Sequence, residues 1–201
     1  MKHFFAICTL AILLISCAEE PKNLSVSGRV KGLKEGTLFL KKIQDSSLIT
    51  LDSVQIKGDP TFILTANIDD SQMLYLDLNV NQGNIRENRL PFFASPGEMT
   101  INTTLKKFNV EAKISGSENQ EKLEEYQKFI SRLNDRNLDL IEAHFNAQKD
   151  QNDSLINAIK KKQDALIANR YFTCVNFALN NKHLEIAPYL ALSEISDANL
   201  K

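Results

Sequence analysis

The 201 residues carry 24 Lys plus Arg against 25 Asp plus Glu, for a formal net charge of -1, and 43% are hydrophobic and 24% charged. That balance leaves no electrostatic footprint for nucleic acid and describes a globular chain: one domain, or a sandwich-sized domain with an appendage. With only 3 Cys and 3 His, zinc ribbons and multi-disulfide frameworks are excluded.

The chain opens with Met1-Lys2-His3, an apolar run from Phe4 to Ile15, and then Ser16-Cys17. A basic start, a short apolar run and a small residue before cysteine are the parts of a bacterial secretory signal. The run is too short to span a bilayer, which takes about 20 apolar residues, and Glu19, Glu20 and Pro21 end it abruptly. Leu14-Ile15-Ser16-Cys17 resembles the lipobox of bacterial lipoproteins. That resemblance implies a signal peptide over residues 1–16 and Cys17 as the lipid-attachment residue of the mature N-terminus, with residues 17–23 as a tether. Two or more acyl chains, at about 0.8 kcal/mol per buried CH2, hold a domain on a membrane durably. Ala18-Glu19-Glu20 lacks the Asp that commonly retains lipoproteins at the inner membrane, so the outer membrane is the expected destination. The acidic pair reads either as a surface-export tag or as a solvated linker. With Cys8 removed and Cys17 lipidated, Cys174 is the remaining thiol of the processed chain, and no intramolecular disulfide can form. Its apolar helical surroundings, Tyr171 to Phe177, point to a buried, inert side chain. An intermolecular redox role for Cys174 is the weaker reading, because no Lys, Arg or His lies close in sequence to lower its pKa.

From residue 24 apolar and polar residues alternate, the period of strands with one buried face. Val26 and Val30 carry the first run, Leu38 and Leu40 the second, and Leu74, Leu76 and Leu78 another. Further runs cover residues 48–56, 61–66, 90–94, 99–103 and 108–114. Turns at residues 32–36, at Gly58-Asp59-Pro60 and at Ser95-Pro96-Gly97 separate them. About seven or eight short strands with regular turns predict an antiparallel β-sandwich or open barrel over residues 24–116. Asp45-Ser46 and Asp69-Asp70 read as turn residues, and Asn79 to Asn84 as a long loop with too few carboxylates for calcium. Phe39, Tyr75, Phe92 and Phe93 read as core or core-edge residues, with a ligand groove as the alternative.

These pieces also resemble a known module. Ser25 to Leu33, Gly36-Thr37-Leu38-Phe39-Leu40, Leu51-Asp52-Ser53-Val54, Met73 to Leu76, Phe93 to Ile101 and Ile114-Ser115-Gly116-Ser117 are similar in order and spacing to a β-sandwich domain of unknown function. That domain precedes a thioredoxin-like, peroxiredoxin-related domain in many envelope lipoproteins of Gram-negative bacteria. The resemblance implies an accessory module without catalytic residues of its own.

At Ser117 the period changes. Ser117 with Gln120 fits a capping box, the hydroxyl accepting from an early amide and the Gln side chain reaching back. Leu123, Tyr126, Ile130, Leu133, Leu138, Ile141 and Phe145 predict one helix with a single apolar stripe. Leu155 or Ile156, Ile159, Leu166, Ile167, Arg170, Cys174 and Phe177 predict a second after the polar stretch 149–153. Arms of about 28 residues would reach roughly 40 Å, longer than such a sandwich is wide, so part of this hairpin projects or pairs with something. Lys160-Lys161-Lys162 reads as a wet face or partner surface. His144 and His183 read as cap or surface residues, and a short third helix is expected to open at Ala187 with Pro188 in its first position. The stretch from His183 to Ile195 also resembles the helix that leads into the redox domain in that family, yet no Cys-x-x-Cys occurs in the 201 residues.

The sequence thus predicts an α+β fold: a sandwich over residues 24–116, then a helical hairpin and third helix over 117–201. It is expected to be a membrane-anchored envelope lipoprotein with a non-catalytic binding or scaffolding role, without cofactor, metal or nucleic acid. Its expected contacts are the membrane, through the lipid, and a protein partner or a second copy, through the helical arm. The alternative is the accessory half of a truncated thiol-disulfide oxidoreductase, to which a Cys pair elsewhere would supply exchange chemistry.

Overall fold

The computed structural model describes residues 21–80 and 88–195. The signal peptide, Cys17, the acidic pair, Asn81 to Asn84 of the predicted loop and the last six residues of the predicted helical region lie outside the described residues.

Eight strands come first: β1 (Leu24–Lys31), β2 (Glu35–Gln44), β3 (Ser47–Lys57), β4 (Thr61–Ala66), β5 (Gln72–Asn79), β6 (Arg89–Ala94), β7 (Gly97–Thr104) and β8 (Lys113–Ser115). Helices α1 (Glu118–Lys149), α2 (Asp153–Asn180) and α3 (Ile186–Glu194) follow, as the α+β reading predicts. The strands form two four-stranded sheets, β4-β1-β7-β8 and β3-β2-β5-β6. Between them lies a core of alternate side chains, among them Leu24, Val26 and Val30 of β1, Leu38 and Leu40 of β2, Leu74, Leu76 and Leu78 of β5, and Phe92 of β6.

Every pairing among the described residues is antiparallel except β1 with β7, which run parallel in register from Leu24–Gly97 to Lys31–Thr104. Period-2 alternation is the same for both orientations, so the residues do not distinguish them. The expected strand over residues 108–114 shortens to Lys113–Ser115. Ahead of it the chain turns, and Phe108 tucks into the core edge while its carbonyl accepts from Thr103 Oγ1 at 2.7 Å.

Turn chemistry follows the residues. Asp45 and Ser46 close the β2–β3 hairpin with φ of 48° and 67°, the left-handed pair of a type I′ turn. A bulge at Leu51 of β3, where Asp52 and Thr50 pair with consecutive Leu40 and Lys41 of β2, lets Leu51 pack against the core. Beside it, Asp52 accepts from Ser53 N and, across the sandwich corner, from Thr65 N on β4, both at 2.7 Å. Asp52 thereby caps an edge amide that would otherwise be open to pairing. Asp52→Ala is expected to lower stability by about 1–3 kcal/mol, the range for losing bonds to a charged acceptor. Chemical denaturation of the two proteins checks it, and an unchanged midpoint would contradict the assignment.

The opposite edge is closed differently. Phe93 N points away from the sheet, and Pro91, two residues back, has no amide to offer there, so β6 presents few donors to another strand. The start of α1 lies across this side of the sandwich.

Candidate functional site

The helical arm carries most of the large apolar side chains left exposed among the described residues, and its root on the sandwich is held by a polar network. Ser117 caps α1: its hydroxyl accepts from Gln120 N at 3.3 Å and shares a 2.8 Å bond with Ser95 Oγ, which also accepts from Ser71 Oγ at 3.0 Å. The predicted capping box forms only by half. Gln120 does not reach back; its Oε1 accepts from Phe93 N at 2.8 Å and its Nε2 donates to Glu124 at 2.9 Å. The Phe93 amide of the edge strand is the better partner, because it is buried under α1 and has no strand partner on that side. Asn119 ties three segments together. Its Nδ2 donates to Ser95 Oγ at 3.2 Å and to Glu185 Oε2 at 2.8 Å, and its Oδ1 accepts from Ile186 N at 2.9 Å, satisfying an orphan amide of α3. The bond from Asn119 holds the Glu185 carboxyl below its ordinary range. Helix α3 starts at Ile186, so Pro188 sits in its third position and not its first. Either place lies in the first turn, where a missing N–H costs nothing.

A second apolar core forms at this root from Phe93, Leu123, Tyr126, Ile130, Cys174, Phe177, Ile186 and Leu190. Phe92 and Phe93, adjacent on β6, point to opposite faces: one fills the sandwich and the other anchors the arm, edge to face with Tyr189 at 5.4 Å. Gln120→Ala is expected to lower stability by about 1–3 kcal/mol, because it strands the buried Phe93 amide. Hydrogen exchange checks it: the Phe93 amide should lose protection while sandwich amides such as Leu76 keep theirs.

Cys174 is buried, as its surroundings predicted. Its Sγ lies 3.5 Å from the Leu190 carbonyl, and burial pushes the thiol above its ordinary pKa. The Tyr126 hydroxyl is buried beside the thiol and is pushed upward, chiefly by the same desolvation. Next to them Arg170 binds Glu194 Oε2 through Nη2 at 2.6 Å and Nε at 3.0 Å. In a Cys8→Ser, Cys17→Ser variant, Cys174 should react with an aromatic disulfide reagent only once denaturant unfolds the arm. Rapid labelling of the native protein would overturn the buried assignment.

Beyond the root the arm is thinly packed. Helix α1 has 32 residues and α2 has 28, yet α2 buries only Ile159, Cys174 and Phe177. The apolar stripe expected on α1 divides. Leu123, Tyr126 and Ile130 are buried, and Leu133 is partly so, but Leu138 and Phe145 are 63% and 61% exposed. The buried and half-buried residues Tyr126, Ile130, Leu133, Leu140 and Ala147 follow a 3.5-residue spacing, which leaves Leu138 and Phe145 on the neighbouring face. On α2, Phe172, Val175 and Leu179 form a row at i, i+3 and i+7 on the side away from Cys174 and Phe177, with Phe172 67% exposed. Lys160, Lys161 and Lys162 are exposed near the outer end. His183 lies 3.9 Å from Glu118, and His144 is half-buried on α1 with its Nδ1 unpartnered among the described residues.

The other predicted aromatics, Phe39 and Tyr75, are half-buried on the outer face of the β3-β2-β5-β6 sheet. They flank Asp77, which is buried between Lys41 at 3.1 Å and a two-pronged Arg89 at 2.8 Å. Lys41 lies over the Phe39 ring and Arg89 over the Tyr75 ring, at 5.0 and 5.7 Å. Periodicity does not reveal this cluster. Its signal is a lone charge between Leu76 and Leu78, with Arg89 directly opposite on β6 and Lys41 on the diagonal of β2, two residues from Phe39, which stands opposite.

Together these features define an open β-sandwich whose one side is closed by the root of a projecting helical hairpin. Residues 24–123 match the model of a family described as a domain of unknown function (DUF4369). The matched stretch begins with β1 and runs past Ser117 to Leu123, so it takes in Asn119 and Gln120, the residues that fasten the arm. No curated protein matches the chain.

Proposed function

We propose that the protein is a lipid-anchored lipoprotein of the bacterial cell envelope with a non-catalytic role. Cys17 carries the lipid, the sandwich is the rigid base, and the helical arm docks a protein partner or a second copy of the chain. The observation that carries this reading is the row Phe172, Val175 and Leu179, which remains exposed on a helix longer than its own contacts require. A helix of a monomeric domain ordinarily turns its apolar side inward, and contiguous exposed apolar side chains mark interaction surfaces. The placement of the tether supports it further. Residue 23 is fixed at the end of the sandwich where the arm is rooted, since Gly97 N donates to the Asn23 carbonyl at 2.8 Å and Asn23 Nδ2 to Ile68 O at 2.7 Å. An anchor there holds the arm close to the membrane, among other envelope proteins. The residues after Cys17 favour the outer membrane.

A photo-crosslinking side chain placed at Phe172 or Leu179 in the membrane-bound protein tests the docking role. Discrete adducts from these two positions, and none from Ile63 on the sandwich, are the expected result. No adduct from either arm position would overturn it. Purified protein should also show no thiol-dependent insulin reduction, and measurable turnover would contradict the non-catalytic assignment.

A further inference from the structure

We propose that the outer face of the β4-β1-β7-β8 sheet binds an acidic glycan chain, held by Arg29, Lys31 and Lys113. Arg29 and Lys31 are two residues apart on β1 and stand on the solvent side of the sheet, opposite the core residue Val30. The register sets Arg29 beside Asn102 of β7, Asn102 beside Lys113 of β8, and Lys31 beside Thr104. Two strand spacings separate Arg29 from Lys113, so their backbones lie about 10 Å apart with Asn102 between them.

The chain between β7 and β8 rises beside these residues and makes a groove of about 520 Å³. A second hollow of about 380 Å³ shares Lys31, Thr104 and Glu111 with it and adds Lys106 and Lys107, so the groove continues over the end of the sheet. Glu111 is the carboxylate that lines both hollows, and it is already engaged by Lys107 Nζ at 2.8 Å and Thr104 Oγ1 at 3.0 Å. Arg29, Lys31 and Lys113 have no carboxylate within ion-pair distance among the described residues. Asp59 and Glu111 feel the charges of Arg29 and Lys31 only from beyond ion-pair distance, so in a chain of net charge -1 the three cations along one groove still complement a ligand with repeated anionic groups.

The rest of the lining favours a sugar chain over a nucleic acid. Asn102 stands among the cations, and its side-chain amide can both donate to and accept from sugar hydroxyls. No aromatic ring lines either hollow to stack a base.

Binding of fluorescent oligosaccharides to the full chain in detergent micelles tests this. The probes are a sulfated heparin octasaccharide, a carboxylated oligogalacturonide, a neutral dextran oligomer and a single-stranded DNA oligomer. The expected result is binding of one or both acidic sugars, weakening with salt, with dextran and DNA at least tenfold weaker. Combined Arg29→Glu, Lys31→Glu and Lys113→Glu should raise Kd at least tenfold, while Lys160→Glu, Lys161→Glu and Lys162→Glu on the arm leave it unchanged. If the reversal variant fails to fold by circular dichroism, the Gln variants at the same three positions replace it, with a Kd increase of at least threefold expected. No binding of either acidic sugar, equal binding by the groove variants, or DNA bound as tightly as the sugars would overturn the proposal.

Discussion

Alanine at position 28 is expected to lower the unfolding free energy by about 3 kcal/mol or more, the upper end of overpacking costs. Gly28 lies inside β1, opposite Phe62 of β4 and Ile101 of β7. A Cβ there would fall 1.8 Å from the Ile101 carbonyl oxygen and 2.7 Å from its carbon. Both atoms are backbone of the neighbouring strand, so no side chain can swing aside. Relief requires β1 and β7 to part, and that loosens the parallel pair around which the sheet is built. For a chain of this size about 3 kcal/mol corresponds to a fall in Tm of about 6–12 °C. Gly58→Ala is the matched comparison. Its φ of 89° disfavours a side chain, but nothing lies within 4 Å of a Cβ there. It should therefore cost only about 1–2 kcal/mol, the price of the left-handed conformation alone. Equal Tm losses for the two variants would show that strand proximity is not what excludes a side chain at position 28.

The second large effect is expected at Asp77. Its side chain is 3% exposed, while Lys41 and Arg89 are 21% and 29% exposed. Removing one partner of a buried ion pair costs about 3–5 kcal/mol, and the two cations here keep some water, so Asp77→Ala should cost about 3 kcal/mol, the lower end of that range. The pH dependence has a definite sign. Burial pulls the Asp77 carboxyl upward, but the hydrogen bonds from Arg89 and then Lys41 outweigh it and leave the folded-state value below the ordinary one. The folded state therefore holds the ionised form more tightly than the unfolded chain does. Its contribution is complete above the unfolded carboxylate range near pH about 4 and is lost as pH falls through the lower folded-state value. Urea unfolding of wild type and Asp77→Asn should accordingly differ most at neutral pH and converge in acid. A difference that persists unchanged to low pH would contradict the ion pairing.

Much of the fold is legible in the chain because each local signal agrees with its neighbours. Alternation marks the strands, Asp45-Ser46 marks the tight hairpin, and the shift to helical spacing after Ser117 marks the arm. What escapes sequence reading depends on partners distant along the chain. The parallel β1–β7 pair joins residues separated by the whole second sheet, and Gly28 carries its meaning only through Ile101. An isolated glycine within a strand does hint at such close approach. Gln120 looked like a helix cap because the amide it serves, Phe93 N, belongs to a different element. The paired aromatics Phe92-Phe93 carried a usable signal, since apolar residues at consecutive strand positions imply burial on both faces. Leu138 and Phe145 read as part of the buried stripe because an ideal helical period and a 3.5-residue spacing diverge slowly, by about 20° per heptad. The cationic groove arises from the register of β1, β7 and β8 and has no contiguous sequence motif.

Attachment at Cys17 is the point on which the proposed role rests, and the intact mass of the protein extracted from membranes tests it most directly. The predicted result is a chain beginning at Cys17, heavier than its amino-acid mass by a diacylglyceryl group and an amide-linked acyl chain, and absent when Cys17→Ser is expressed. A chain that begins at Met1, or one processed elsewhere and carrying no lipid, would contradict it.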